Sequence, residues 1–122
     1  MNGKILIVDD SALARRMSRN ILEAEGFVVL EAQDGLSALE RYFLEKPDVV
    51  LLDLVMKGMY GLEVLEKLRQ MDPDVKVVVV SADVQSSSHD LVHEAGGKAF
   101  LNKPFDRTEL IHAVQTALAG AA

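Results

Sequence analysis

Short unbroken runs of aliphatic and β-branched residues punctuate the chain: Ile5–Val8, Phe27–Leu30, Val49–Leu52, then Val75 with Val77–Val80, and a weaker one at Ala99–Leu101. A strand with one wet face alternates polar and apolar residues, so unbroken runs predict strands covered on both faces. Between them the apolar residues fall at helical spacing: Leu13, Met17 and Ile21; Leu36, Leu39 and Phe43; Leu62, Leu65 and Leu68. Leu110, Ile111, Val114 and Leu118 predict the buried stripe of a last helix. Asp34 and Asp106 stand where N-caps would, and Glu109 completes a capping-box spacing with Asp106. Gly26 predicts the C′ end of the first helix, and Ser86–Ser88 the start of a fourth helix running through Gly96.

Strand and helix therefore alternate five times, which predicts a doubly wound α/β fold with a five-stranded parallel sheet and helices on both faces. Residues 1–122 read as a single domain, with no linker, tail or internal repeat, and 49% apolar composition is enough for one core.

Charge and composition narrow the function. Thirteen Lys and Arg against nineteen Asp and Glu leave a net charge of −6, which disfavours nucleic acid and anionic lipid as partners. Cysteine is absent, excluding thiolate metal sites and cysteine nucleophiles, as a reducing compartment would allow. The N-terminus lacks a secretory apolar segment and no run is long enough to span a bilayer, so a cytoplasmic protein without membrane association is expected. No glycine-rich nucleotide fingerprint appears.

The polar residues that end the apolar runs carry the chemistry. Asp9 and Asp10 follow the first run, Asp53 the third, Ser81 the fourth, and Lys103 comes just after the fifth. In parallel sheets these positions share one edge, and ligands bind where the strand order reverses. If the order is 2-1-3-4-5, the first and third strands are neighbours there, and the three carboxylates converge. Each residue alone has a plain structural explanation, Asp9 or Asp10 as a helix cap for example. Together they do not, because two carboxylates about 4 Å apart repel by roughly 4 kcal/mol at an effective dielectric near 20. A hard divalent cation, Mg2+, removes that cost and suits carboxylate, carbonyl, water and phosphoryl oxygens. A carboxylate can also attack phosphorus to form an acyl phosphate. Asp53 is the better nucleophile, since it stands alone before a loop containing Gly58 and Gly61, whereas Asp9 and Asp10 are paired as metal ligands would be. Ser81 can donate a hydrogen bond to a phosphoryl oxygen and Lys103 can pair with it.

From Lys4 to about Ala119 the chain resembles the receiver domain of two-component response regulators. The resemblance is carried by Ile5–Ser11, by Leu51–Met56 leading to Gly61-Leu62-Glu63, by Val80-Ser81-Ala82 and by Lys103-Pro104-Phe105, in that order and at these separations. It implies a flavodoxin-like sheet of order 2-1-3-4-5, with Asp53 accepting a phosphoryl group from a phosphohistidine. Mg2+ would be held by Asp9, Asp10 and Asp53 and by the Val55 main-chain carbonyl. Ser81 and Phe100 would form the switch that reshapes the surface of the fourth helix, fifth strand and fifth helix. A cis Lys103–Pro104 bond is also implied.

The implied function is a stand-alone response regulator of a two-component phosphorelay. It would be phosphorylated by a sensor histidine kinase or a histidine phosphotransfer protein and would bind a downstream target protein. With no effector segment expected, it would act like chemotaxis receivers or phosphorelay intermediates. No enzymatic turnover is expected beyond its own phosphorylation and dephosphorylation. Lys57 and Tyr60 depart from the family pattern, where Pro and Asp are usual, and place loop conformation in question. Val55 and Asp83 occupy positions that tune hydrolysis, and an apolar Val55 implies slow to intermediate loss of the phosphoryl group. The competing reading is a small aspartate-nucleophile phosphatase, but such enzymes space their two aspartates Asp-x-Asp, whereas here they are adjacent. His89 and His93, at i and i+4, read as a solvated helix face, as does His112. Arg15, Arg16 and Arg19 read as solvated cations, with docking of an acidic partner as the alternative.

Overall fold

In the computed structural model, which describes residues 3–56, 60–82, 93 and 96–119, the apolar runs form β1 (Lys4–Val8), β2 (Val28–Ala32), β3 (Val49–Asp53), β4 (Val77–Ser81) and β5 (Ala99–Asn102). They pair in parallel in the order β2-β1-β3-β4-β5. Helices α1 (Ala12–Ala24), α2 (Gly35–Glu45), α3 (Gly61–Met71) and a C-terminal helix (Arg107–Leu118) cover the sheet. Of the expected fourth helix only His93, which is helical, and Gly96 are described; Ser86–Ser88 and His89 lie outside the described residues, as do Lys57, Gly58 and Asp83. Among the described residues no helix is long and apolar enough to cross a membrane.

Each inner strand feeds two cores. Leu6, Val8, Val50, Leu52, Val77 and Val79 pack on the side of α2 and α3. Ile5, Ile7, Val49, Leu51, Val78 and Val80 pack on the side of α1 and the C-terminal helix. This is why the runs show no polar alternation, and each fully buried Val, Leu or Ile contributes roughly 1.5–3 kcal/mol.

Second-strand pairing starts one residue later than the apolar run. Phe27 is buried, but its N–H still bonds the Leu22 carbonyl of α1, and the strand instead continues through Glu31 to Ala32. The helix ends agree with the sequence signals. Asp34 accepts from the Ser37 N–H at 2.8 Å, Asp106 and Glu109 form a capping box, and Gly26 sits at φ +90° just past α1. Ser11, rather than Asp9 or Asp10, caps α1.

The faces that two helices turn inward are rotated from the apolar spacing. In α1, Leu13 is 68% exposed and Met17 is also exposed, while Ser18 and Leu22 are buried. In α2, Leu36 is 74% exposed and Phe43 is exposed, while Gly35, Ala38 and Tyr42 face inward. Small residues on the inner face let these helices lie close to the sheet and leave the larger apolar side chains outside. In α3 the expected Leu65 and Leu68 are buried, joined by Val64, with Leu62 half-buried. The C-terminal helix buries Leu110 and Val114 as expected, with Ala113 and Ala117; Ile111 and Leu118 are half-buried.

Candidate functional site

At the carboxyl edge of the sheet, β1 and β3 lie side by side while the chain leaves them toward opposite flanks, β2 on one side and β4 on the other. Asp9 follows β1 directly and Asp53 is the last residue of β3. Asp9, Asp10 and Asp53 each offer a carboxylate oxygen, all within 4.8 Å of one another, with Asp9 and Asp53 buried and Asp10 exposed. At that separation and an effective dielectric near 20, each pair of charges repels by roughly 3–4 kcal/mol.

Lys103, one residue beyond β5, relieves part of this. Its Nζ donates to Asp9 Oδ2 and to Asp53 Oδ2, at 3.3 Å in both cases. Burial pulls the Lys103 ammonium down, but the attraction of Asp53 and Asp9 outweighs it and raises its pKa. The ammonium is charged at neutral pH. The Lys103–Pro104 bond is cis, and the Lys103 N–H donates to the Ser81 carbonyl at 2.9 Å.

Asp53 behaves differently. Burial is the largest influence on its carboxyl and raises its pKa; the Val55 N–H and the Lys103 charge oppose the shift, and the Asp9 charge adds to it. A cavity of about 410 Å³ opens beside it, walled by Ile7, Leu51, Val80, Met17, Ile21 and Phe105. Asp9 lines the same cavity.

The turn after β3 is shaped by Gly61. Its N–H donates to the Leu54 carbonyl at 2.7 Å, and a Cβ at this position would stand 2.5 Å from Leu54 Cα and 2.6 Å from the Asp53 carbonyl oxygen. Only glycine lets α3 start this close to the β3 end. Tyr60 occupies the N-cap of α3 without a side-chain capping bond.

The expected site residues fall into three groups. Asp9, Asp10, Asp53 and Lys103 come together directly. Ser81 and Val55 stand beside them: Ser81 ends β4 fully buried, next to β3, and Val55 is 63% exposed with its N–H donating to Asp53 Oδ1 at 3.2 Å. Phe100 lies farther back, opposite Val79 and half-buried against the core on the α2–α3 side. His93 is exposed.

Composition and spacing missed one connection. Arg15 and Arg19 are not simply solvated: both bond Glu31 of β2, and Arg15 also reaches the Asp9 main chain. The local signal is Glu31, an acidic residue that directly follows the second apolar run.

Three carboxylates and one ammonium leave two negative charges, the complement of one divalent cation, and the donors are all hard oxygen. The cluster fits such an ion.

Comparisons with known proteins point the same way. The response regulator receiver domain model matches residues 5–115. The chemotaxis protein CheY of Bacillus subtilis (strain 168) is 38% identical over 119 residues, spanning 97% of this chain and 99% of that protein. Sporulation initiation phosphotransferase F of the same organism is 36% identical over 115 residues, spanning 94% and 93% of the two chains. The crystal structure of a CheY-like receiver domain protein from Methanospirillum hungatei JF-1 superposes with a TM-score of 0.90 at 28% identity, covering 95% of this chain and 93% of that one. With its acidic cluster at the switch point of a β2-β1-β3-β4-β5 sheet and a family match over nearly its whole length, the chain belongs to the response regulator receiver domain family.

Proposed function

We propose that the protein is a phosphorylation switch whose acceptor is Asp53 and whose output is altered affinity for a partner protein. A carboxylate oxygen of Asp53 attacks the phosphorus of a phosphohistidine, the P–N bond breaks, and the imidazole leaves with the electron pair and takes up a proton. The donor is a sensor histidine kinase or a histidine phosphotransfer protein. Lys103, already bonded to Asp53, pairs with the transferred phosphoryl oxygens, and the Ser81 hydroxyl donates to another. Asp9, Asp10, Asp53 and the Val55 carbonyl would hold Mg2+, which when bound supplies charge neutralisation of the phosphoryl oxygens.

The observation that carries this reading is the bridging of Asp9 and Asp53 by the single Lys103 ammonium beside a third carboxylate. The acyl phosphate carries more negative charge than the carboxylate it replaces, and Lys103 is placed to offset part of it. The switch reading assigns Ser81 to follow the phosphoryl group and Phe100, half-buried on β5, to repack in response. This alters the surface made by β5 and the C-terminal helix.

Similarity to both a chemotaxis protein and a sporulation phosphotransferase supports a phosphorelay role, with chemotaxis one setting for it. The test is incubation with a small acyl phosphate and Mg2+ followed by intact mass measurement. One added phosphoryl group, absent without Mg2+ and absent in Asp53→Asn, is expected. Sustained turnover of a generic phosphate ester would place the chain with aspartate-nucleophile phosphatases instead.

A further inference from the structure

A second polar network lies behind the carboxylate cluster, between α1 and β2. The Arg15 side chain is only 15% exposed, and its guanidinium is held at two points. Nε donates to Glu31 Oε1 at 2.9 Å, and Nη1 donates to the Asp9 main-chain carbonyl at 2.7 Å. The other carboxylate oxygen of Glu31 accepts from Arg19, which in turn pairs with Glu23. Burial pulls the Glu31 carboxyl up, but the bonds from Arg19 and Arg15 outweigh it and keep its pKa below the usual value. Glu31 is therefore ionised at neutral pH and offsets the Arg15 charge so close to the cation site. A planar fork with two anchored nitrogens has little rotational freedom left.

The bond to Asp9 has a specific geometric effect. The carbonyl it captures belongs to the peptide that joins Asp9 to Asp10, and a peptide unit is a rigid plane. The other Asp9 groups are fixed as well: its N–H donates to the Ala32 carbonyl at 3.1 Å, and its carboxylate accepts from the Ser11 N–H at 2.9 Å and from Lys103. Holding the carbonyl oxygen therefore sets the direction in which the chain enters Asp10. Asp10 is the one exposed member of the carboxylate cluster, and the direction of its main chain enters into where its carboxylate stands.

We propose that Arg15, anchored by Glu31, is a positioning residue that fixes the Asp9–Asp10 peptide plane and thereby sets where the Asp10 carboxylate stands for a divalent cation. The proposal rests on the cation reading of the cluster. Arg19 shares Glu31 but has no bond to Asp9 and serves as the control.

The experiment measures the Mg2+ dissociation constant by calorimetric titration of the full chain well below its melting temperature. In parallel, the Asp9 carbonyl carbon and Asp10 amide nitrogen NMR shifts are recorded without metal. Arg15→Met should weaken Mg2+ binding by about tenfold or more, the scale on which partners behind metal ligands act. It should also move both NMR signals in the metal-free protein, which a purely stabilising side chain would not do. Arg19→Met should leave the affinity within about twofold by the same comparison. Arg15→Lys keeps the charge but cannot hold Glu31 and the carbonyl together, so it should fall between wild type and Arg15→Met; it carries the test should Arg15→Met fail to fold. Wild-type affinity in the Arg15 variants overturns the inference. If the wild-type chain binds no Mg2+, the cation reading fails instead, and with it the metal half of the inference; unchanged NMR signals in the Arg15 variants then overturn the other half.

Discussion

The carboxylates at the ends of β1 and β3 face each other across one ammonium but are held in different ways. At the β1 end the N–H of Asp9 is bonded to Ala32, its carbonyl to Arg15, and its carboxylate to Ser11 and Lys103. At the β3 end Asp53 accepts a 3.2 Å bond from Val55 and a 3.3 Å bond from Lys103, and burial raises its pKa. The first is an arrangement that fixes a ligand in place. The second is as buried as the first but has fewer bonds, one of them from a lysine it can share with an incoming group. On the proposed reading that difference makes Asp9 a fixed holder of the cation and Asp53 the group free to react.

The largest expected effect breaks the β3 side. Gly61→Ala would force a methyl group against the Leu54 and Asp53 main chain, where no flexible side chain can give way, and should cost about 3 kcal/mol by chemical denaturation. It should also slow phosphorylation, because relief comes by displacing the β3 end. The matching change on the β1 side, Ser11→Ala, removes only a helix cap bond to Ala14 and should cost about 1 kcal/mol.

Removing the shared cation comes next. Lys103→Met leaves Asp9 and Asp53 facing each other, and because Lys103 is about a third exposed, solvent screening limits the loss to roughly 1–2 kcal/mol at neutral pH without metal. Saturating Mg2+ should recover much of this, since a ligand at about a hundredfold its dissociation constant contributes about 2.7 kcal/mol. Thermal melts with and without Mg2+ check both numbers. A raised lysine pKa stabilises below the unfolded value and stops doing so as pH rises through the folded one, so the Lys103 contribution should persist at neutral pH and vanish only in alkali.

Asp53 has the same sign of dependence, but its range begins at the carboxylate end of the pH scale. Its folded pKa is raised, so its contribution to stability is present below the unfolded carboxylate pKa and lost as pH rises through the folded value. Asp53→Asn removes that loss. Without metal the variant should melt a few degrees higher than wild type at neutral pH, and the gap should close on acidification. A variant that melts lower would mean that the bonds to Val55 and Lys103 outweigh the burial of the charge.

The smallest effect concerns the uncapped start of α3. Tyr60→Ser supplies a side-chain acceptor where none now bonds the helix, and should add about 0.5–1 kcal/mol without changing the acceptor chemistry at Asp53.

Most of the fold and much of the site could be read before any coordinates. The apolar runs marked strands because both faces of each inner strand are covered, and the residues ending them converge because a parallel sheet aligns its carboxyl ends. The inward faces of α1 and α2 were not readable from apolar spacing, since Ala38 and Ser18 pack inside while Leu13 and Leu36 remain outside. The Arg15–Glu31 pair was hidden for another reason. Its partners are sixteen residues apart on different elements, and a long-range ion pair leaves no periodic trace in the sequence. The Tyr42 hydroxyl bond to Asp72 at 2.6 Å, which links α2 to the end of α3, was hidden in the same way.

The division of labour between the two strand ends is tested most directly by treating wild type, Asp9→Asn and Asp53→Asn with the same small acyl phosphate in Mg2+ and mapping the added mass by peptide. Wild type and Asp9→Asn should both carry one phosphoryl group on the peptide containing Asp53, more slowly in the variant, and Asp53→Asn should carry none. A phosphoryl group on Asp9 or Asp10, or unchanged modification of Asp53→Asn, would contradict it.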